Sequence, residues 1–348
     1  MKRFIVMGVI LLVLLVFPLV VDSPYILHSF IMILFYAYLS TSWNIVGGFA
    51  GQLSMGHSSF MAIGGYISTL LYIYLGITPW MGMFAGAAVA ALVAVLIGIP
   101  SFRLRGAYYS LATIAFAQGL LIILQSVQYI GPIRLGGAEG LIVAQKPNAG
   151  FWDFQFFSKV PYYYIILVFL VVVLFACSYI ERSKLGYYLT GLREDEDAAK
   201  ALGINTQANK LIAAGLSAFF TAIGGTFFAQ FIRYLEPASI AGLDLSIQVV
   251  FLAVVGGLGT VFGPFVGAIV LTTLAQLTQV YLGGSSSGLH LIIYGTAVVL
   301  VILFMPSGQG VIHPLLRLLR MGPSQEIRPG RSGIVCAEDK EVAYAEDK

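Results

Sequence analysis

Long apolar runs separated by short polar stretches constrain this chain more than any other sequence feature. A membrane-spanning helix needs about 20 consecutive, mostly apolar residues. Only 10% of the 348 residues are charged, whereas a soluble domain carries roughly 25%. The sequence therefore excludes a soluble enzyme, a disordered chain and a nucleic-acid-binding domain, and it predicts an all-α integral membrane protein. The clear runs occupy about residues 4–21, 25–46, 80–99, 107–129, 162–180, 211–231, 262–281 and 289–305.

Two weaker segments decide whether the chain crosses the membrane eight or ten times. Residues 52–75 are interrupted by glycines, and residues 246–258 are short and end in a Gly-Gly-Leu-Gly run. We therefore expect about 8–10 transmembrane helices, with Gly-broken segments in two related halves. Paired interrupted segments are typical of a transport pathway built on an internal repeat, although any single glycine could instead only allow close helix packing. The two glycine clusters are Gly47, Gly48, Gly51 and Gly56, and Gly256, Gly257, Gly259, Gly263 and Gly267.

The basic residues orient the chain, because cytoplasmic loops carry an excess of Lys and Arg. With ten crossings and the N-terminus inside, all but four of the 19 basic residues fall on the inside. Leaving out either weak segment alone would move basic clusters to the wrong side. The sequence therefore favours ten crossings with both termini cytoplasmic. The four basic residues left outside are Arg134, Lys146, Lys159 and Arg233.

The two ends of the chain differ in composition. The apolar run that follows Met1-Lys2-Arg3 is long for a signal peptide and is not followed by a small-residue cleavage site, so we interpret it as a retained first helix. Residues 1–310 then form the transmembrane domain, with a cytoplasmic loop at 181–210. Residues 311–348 end in two copies of Ala-Glu-Asp-Lys and predict a disordered cytoplasmic tail.

The longest predicted outside loop covers residues 130–161. It contains Gly136-Gly137 and the aromatic run Phe151-Trp152-Asp153-Phe154. Such a loop could receive a partner protein, or its aromatic side chains could anchor it at the membrane interface. The sequence leaves both alternatives open.

Charge is concentrated in the predicted cytoplasmic loop 181–210. Residues 193–202 are good helix formers, and Gly203 is a natural helix stop. The acids at 194–197 suit the first turns of a helix, where the helix dipole favours negative charge. We predict a short amphipathic helix over 193–202, which is either a solvated surface helix or a docking helix for a cytosolic partner.

Neutral polar side chains within or beside the apolar segments limit the kind of transport that the chain can perform. Membrane-embedded acids and bases are nearly absent, which argues against an ion-coupled carrier and against a channel with a charged ring. A neutral polar path suits a small neutral or zwitterionic solute, whereas any single polar residue could instead form an interhelical hydrogen bond. The pathway candidates are Asn44, Gln52, Ser54, His57, Thr113, Gln118 and Gln248.

Five motifs in order resemble one known family. Asp197-Ala198-Ala199-x-x-x-Gly203 resembles the Glu-Ala-Ala-x-x-x-Gly loop of ABC importer permeases, and residues 193–205 are similar to the LivM-type branched-chain amino-acid permeases. Two positions depart from the family pattern, because Asp197 stands in place of Glu and Leu135 in place of Thr. The other four motifs lie at residues 51–66, 103–109, 217–229 and 256–264.

The resemblance implies a transport subunit and not an enzyme. The chain would be a multi-pass protein of the bacterial inner membrane that translocates branched-chain or related amino acids. Its partners would be a second homologous permease subunit, two cytosolic ATPase subunits, a periplasmic solute-binding protein and membrane lipid, with no nucleic acid. The ATPase-coupling residues would be Arg193, Glu194, Glu196, Asp197, Ala198, Ala199 and Gly203.

No cofactor is expected in this chain itself. The sequence has no Gly-x-x-x-x-Gly-Lys-Ser/Thr phosphate loop, so ATP and magnesium would bind to the partner ATPases. It also lacks the Cys-x-x-Cys and His-Glu-x-x-His spacings of common metal sites. Three alternatives remain: a urea, short-amide or aromatic-acid permease of the same family, a stand-alone secondary carrier, and a non-transporting membrane scaffold.

Overall fold

The computed structural model describes most of the predicted membrane domain. Of the predicted crossings, 4–21 is described only from residue 13 onward, and 289–305 falls almost wholly outside the described residues, as does the predicted tail 311–348. The described residues are 13–21, 23–104, 106–146, 150–282, 295, 296 and 299.

Helices dominate this part of the chain. Residues 13–20 are helical, and eleven α-helices follow within the described residues up to Leu282. Their bounds are α1 Pro24–Asn44, α2 His57–Leu75, α3 Pro79–Ser101, α4 Ala107–Ser126, α5 Val160–Arg182, α6 Lys184–Glu194, α7 Glu196–Ala201, α8 Thr206–Ile232, α9 Pro237–Ala241, α10 Leu243–Gly256 and α11 Gly263–Leu282.

Seven helical segments of the described chain are long and apolar enough to cross a membrane. Both weak segments are among them. The first starts only at His57 and runs unbroken through Gly64 and Gly65, so those glycines do not interrupt the helix. The second starts earlier than predicted, at Pro237, and bends at Gly242 between α9 and α10. With α11, these segments match eight of the ten apolar runs, and the chain is an all-α, multi-pass integral membrane protein.

Close backbone contacts hold α2, α3 and α8 together. A Cβ atom on Gly64 would overlap the main chain of Ala222 in α8, and one on Gly86 in α3 would lie 2.9 Å from the Gly64 carbonyl oxygen. Small residues at such crossings let helices approach until their backbones touch, which gains van der Waals contact. The most buried span is α1, which packs against α5, α8, α10 and α11. The least buried span is α4.

The predicted outside loop folds as a cap over the ends of α2, α3 and α8. It contains the antiparallel pair Tyr129–Ile130 (β1) with Ile133–Arg134 (β2), and Leu141–Ile142 (β3) pairs with Tyr234–Leu235 (β4) just after α8. Phe154 is fully buried and stacks on Trp80, with 4.4 Å between ring centroids. This contact fixes the cap to the start of α3.

Candidate functional site

The charged loop forms two helices where the sequence predicts one. Asp195 is extended (φ −154°, ψ 109°) and separates α6 from α7. Its Oδ1 accepts hydrogen bonds from the backbone N–H groups of Asp197 and Ala198, both at 2.9 Å. Because an aspartate can cap a new helix as readily as continue an old one, the prediction of a single helix over 193–202 is wrong at this residue. The predicted stop at Gly203 is confirmed by its left-handed backbone, with φ +80°.

One face of α7 points away from the protein. Ala198 and Asp197 are exposed, and Leu202, the residue directly after α7, is 82% exposed although it is a large apolar residue. Ala199, in contrast, is 3% exposed and faces the protein interior. Leu202 was not among the predicted site residues. Its position four residues after Ala198 could have indicated it, because this spacing puts the two side chains on one face. The exposed α7 face consists of Asp197, Ala198, Lys200, Ala201 and Leu202.

Glu196 faces the protein and ties α7 to the start of α8. Its Oε2 lies 2.7 Å from Nζ of Lys210, whose side chain is almost fully buried, and its Oε1 lies 3.0 Å from Nζ of Lys200. Partial burial alone would raise the pKa of Glu196, but the hydrogen bonds from Lys210 and Lys200 outweigh it and hold the pKa below its usual range. The ion pair therefore stabilises the fold at neutral pH, and that contribution is lost as the pH falls through the lowered pKa. In the sequence, Lys210 is only one of the basic residues predicted to lie inside.

Replacing Glu196 by glutamine is expected to destabilise the loop by about 2–3 kcal/mol, since it leaves the Lys210 ammonium buried without a carboxylate. The thermal unfolding of the detergent-solubilised chain measures this change. Adding Lys210→Met should recover most of the loss, because methionine fills the same space without a charge. If the double variant is no more stable than Glu196→Gln, the pair does not hold α7 in place.

Arg193, at the end of α6, points toward the glycine clusters. Its Nη1 donates to the Gly48 carbonyl oxygen at 3.0 Å, and its Nη2 lies 3.1 Å from Oε1 of the exposed Glu194. Asn44 links the two clusters to each other, since its Nδ2 donates to the Thr260 carbonyl at 2.9 Å and its Oδ1 accepts from the Gly259 N–H at 3.1 Å. The glycine clusters of both halves thus meet beside α6. We call residues 44–51, where a π-helical turn at Ile45–Phe49 extends α1, and the turn at residues 257–260 the two turns of the glycine junction.

Two glycines leave the space that the Arg193 side chain fills. Gly51 and Gly259 both have positive φ, +66° and +71°. A Cβ on Gly51 would lie 2.7 Å from Cγ of Arg193, and a Cβ on Gly259 would collide with Nη1 of the same arginine. Only glycine meets both the backbone and the spatial demand at these positions.

Three of the seven pathway candidates line one cleft beside the glycine junction. Ser54, His57 and Thr113 border it together with the aromatic rings of Phe60 and Phe116, and its cavity volume is about 20 Å³. The cleft combines polar groups with apolar walls and has room for about one water molecule.

The hydrogen bonds of His57 fix which ring nitrogen carries the proton. Nε2 lies 2.7 Å from Oγ of Ser217, and that hydroxyl donates to the Ser42 carbonyl at 2.8 Å. Since the hydroxyl has one proton, it accepts from His57, and Nε2 must be the protonated nitrogen. Nδ1 is left as a buried acceptor without a hydrogen-bond partner.

The other pathway candidates do not line this cleft. Asn44 is fully buried in the glycine junction. The side-chain amide of Gln52 donates to the nearby Ala50 carbonyl at 3.3 Å. Gln118 in α4 and Gln248 in α10 are half-buried. Among the residues described, no group of three or more His, Cys, Asp or Glu side chains could hold a metal ion.

Known proteins resemble this chain in sequence over most of its length. A family model for the permease component of branched-chain amino acid transport systems matches residues 25–305. The high-affinity branched-chain amino acid permease protein LivM of Salmonella typhimurium is 30% identical over 298 residues, covering 80% of this chain and 68% of LivM. LivM of Escherichia coli K12 is 30% identical over 294 residues, covering 78% and 67%.

A second group of relatives is more distant. The permease protein LivH of Salmonella typhimurium is 26% identical over 282 residues, covering 78% of this chain and 90% of LivH. No solved structure matches the chain. The family model spans most of the chain, and the motifs that resembled LivM-type permeases lie inside it, so this chain belongs to the family of permease components of branched-chain amino acid transport systems.

Proposed function

We propose that this chain is one membrane subunit of an ABC importer for branched-chain or related amino acids. The likeness to LivM and LivH supports the transport role and a second, homologous permease subunit as partner. The observation that carries the ATP-driven mechanism is the exposed α7 face, which lies in the segment that resembles the coupling loop of ABC permeases. Hydrolysis of ATP on separate cytosolic subunits would supply the energy, and a periplasmic protein would deliver the solute.

The α7 face has the composition of a docking surface. Ala198 is small enough to admit a close neighbour, and Leu202 offers an apolar anchor between the charged side chains of Asp197 and Lys200. An exposed apolar centre with a polar rim is the usual arrangement at a protein interface. This face would enter a cleft of a cytosolic ATPase, so α7 would lie on the cytoplasmic side, and with ten crossings both chain termini would lie there too.

Within this chain, the solute path would follow the cleft at His57, which has room for about one water molecule in this structure and would have to widen to admit an amino acid. The Nδ1 acceptor suits the ammonium group of an amino acid, and the rings of Phe60 and Phe116 suit an aliphatic side chain. A path of this kind needs weak, neutral contacts, because a solute that binds tightly would not leave.

His57→Phe is expected to lower leucine uptake by about tenfold, since it keeps an aromatic ring but removes the Nδ1 acceptor, together with the Nε2–H donor to Ser217. Uptake into vesicles that contain the whole complex measures this effect. Thr69→Val is the matched control, because it removes another buried and unpartnered polar atom from the same helix α2. Equal uptake by both variants would remove His57 from the path.

The proposed function is tested by isolating the complex. A C-terminally tagged chain, expressed in its own host and gently solubilised, should co-purify with two ATPases and a second permease. Reconstituted with the binding protein, the complex should import leucine, isoleucine or valine only when ATP is present on the side of the membrane where the ATPases lie. Uptake of urea in place of these amino acids would support the alternative substrate. Uptake that follows a proton gradient without ATP would support a secondary carrier, and no solute movement at all would support a scaffold.

A further inference from the structure

The junction between α6 and α7 connects the α7 face to the glycine junction. Asp195 is the single non-helical residue between the two helices, and Arg193 lies two residues before it. A force on α7 can therefore pass through Asp195 to the end of α6, where the Arg193 side chain begins, as well as through the Glu196–Lys210 ion pair to α8. No longer linker is available to absorb the movement.

The Arg193 side chain is the part of α6 that reaches both halves of the protein. It donates to Gly48 from one half and occupies the space left by the missing side chain of Gly259 in the other. Asn44 adds hydrogen bonds directly between the two turns. Withdrawal of Arg193 would leave the Gly48 carbonyl without this donor and would open a gap of guanidinium size between the turns.

The surroundings of Arg193 also allow it to leave. Its side chain is 33% exposed, and its ion-pair partner Glu194 is more exposed still. A guanidinium at the surface can move into water without becoming a buried, unpaired charge. The contact between Arg193 and Gly48 therefore holds the junction closed, and breaking it costs little enough free energy to occur in each transport cycle.

We infer that Arg193 is a positioning residue that latches the glycine junction, so that the junction opens when an ATPase moves α7. This inference rests on the proposed function and deepens it. It assigns Arg193 a role inside this chain, whereas the family resemblance alone groups it with the residues that contact the ATPase. The Asn44 bonds would then hold the two turns in register while the latch is closed.

The test compares Arg193→Gln with Lys184→Gln, which neutralises an exposed charge at the other end of α6. In the reconstituted complex, Arg193→Gln should co-purify with the ATPases as the wild type does and should hydrolyse ATP at a rate within about twofold of it. Leucine uptake should fall by about tenfold, because hydrolysis is no longer coupled to the junction. Lys184→Gln should match the wild type in all three measurements.

A cysteine probe reports on the junction itself. In a Cys336→Ser background, Val261→Cys places a thiol at a buried position next to Thr260. Arg193→Gln should raise its maleimide-labelling rate about fivefold in the absence of ATP, because the turns part more often. Loss of ATPase co-purification would instead show that Arg193 contacts the ATPase, and unchanged uptake and labelling would reject the latch.

A second variant disturbs the Arg193 contact by changing Gly259 in the glycine junction. Gly259→Ala keeps Arg193 but puts a methyl group where Nη1 lies, so it should uncouple hydrolysis from uptake in the same way. Gly191→Ala in α6 is its control, since a Cβ there meets no other atom within 4 Å. A wild-type complex that shows no ATP-dependent uptake would contradict the proposed function and not the latch alone.

Discussion

Replacing Ala198 by arginine is expected to lower ATP-driven uptake by about a hundredfold or more. The chain should still insert into the membrane. Ala198 is exposed and lies at the centre of the α7 face, so a long charged side chain there would block a close-fitting partner. It would not disturb the interior, because Ala198 contributes only backbone hydrogen bonds to α7. Leucine uptake by cells and the amount of chain in the membrane fraction measure the two effects separately.

The control at the same position is Ala198→Ser, which stays small and should retain uptake. Ala199 is unsuited to this test although the motif pairs it with Ala198. At 3% exposure, an arginine in place of Ala199 would push α7 off the protein and would not probe docking alone. Normal uptake by Ala198→Arg would show that no partner approaches this face.

Length and hydropathy were enough to find the membrane helices. Eight apolar runs coincide with helices because a span in lipid must satisfy all its backbone hydrogen bonds within itself, which leaves the helix as the default. The weak runs were harder to place, because their polar starts hide real helix boundaries. His57 opens α2 although histidine lowers hydropathy, and Pro237 opens the α9–α10 segment five residues before its bend at Gly242.

The candidate site was only partly predictable, since most of its contacts join distant parts of the chain. The loop motif identified Arg193 and Ala198, but nothing local indicates that Arg193 turns toward Gly48, which lies 145 residues earlier. The same is true of Asn44, whose amide bonds residues more than 200 positions away. These pairings depend on how the two halves pack, and a single sequence carries no record of that packing.

The break at Asp195 has a different cause. The residue lies in a run of helix formers, and the competing cap geometry differs from helix continuation by little energy. Tertiary contacts decide between them: Glu196 must face Lys210, and one continuous helix through 193–202 would turn that carboxylate elsewhere. The acidic run therefore does contain the start of a helix, but that helix begins at the Asp195 cap within the run, in the position that brings Glu196 to Lys210.

For glycines inside the spans, the sequence pattern alone does not distinguish a helix break from a close contact between helices. Gly64 and Gly65 resemble helix breakers in the sequence, yet α2 passes through both. Their role is contact: a Cβ on Gly65 would lie 2.9 Å from Ile240, and a Cβ on Gly225 in α8 would overlap the Met61 carbonyl of α2. Gly119 in α4 differs, since a Cβ there meets no other atom within 4 Å.

Replacing Gly225 by valine is therefore expected to prevent correct folding, at a cost of about 3 kcal/mol or more, because α2 and α8 would have to move apart along a crossing where their backbones touch. The amount of monodisperse chain extracted from the membrane should fall by about tenfold or more. Gly119→Val is the matched control, because it adds the same side chain to a span where the structure has room, and its yield should equal that of the wild type. Equal yields of the two variants would mean that α2 and α8 do not approach as closely as their glycines allow.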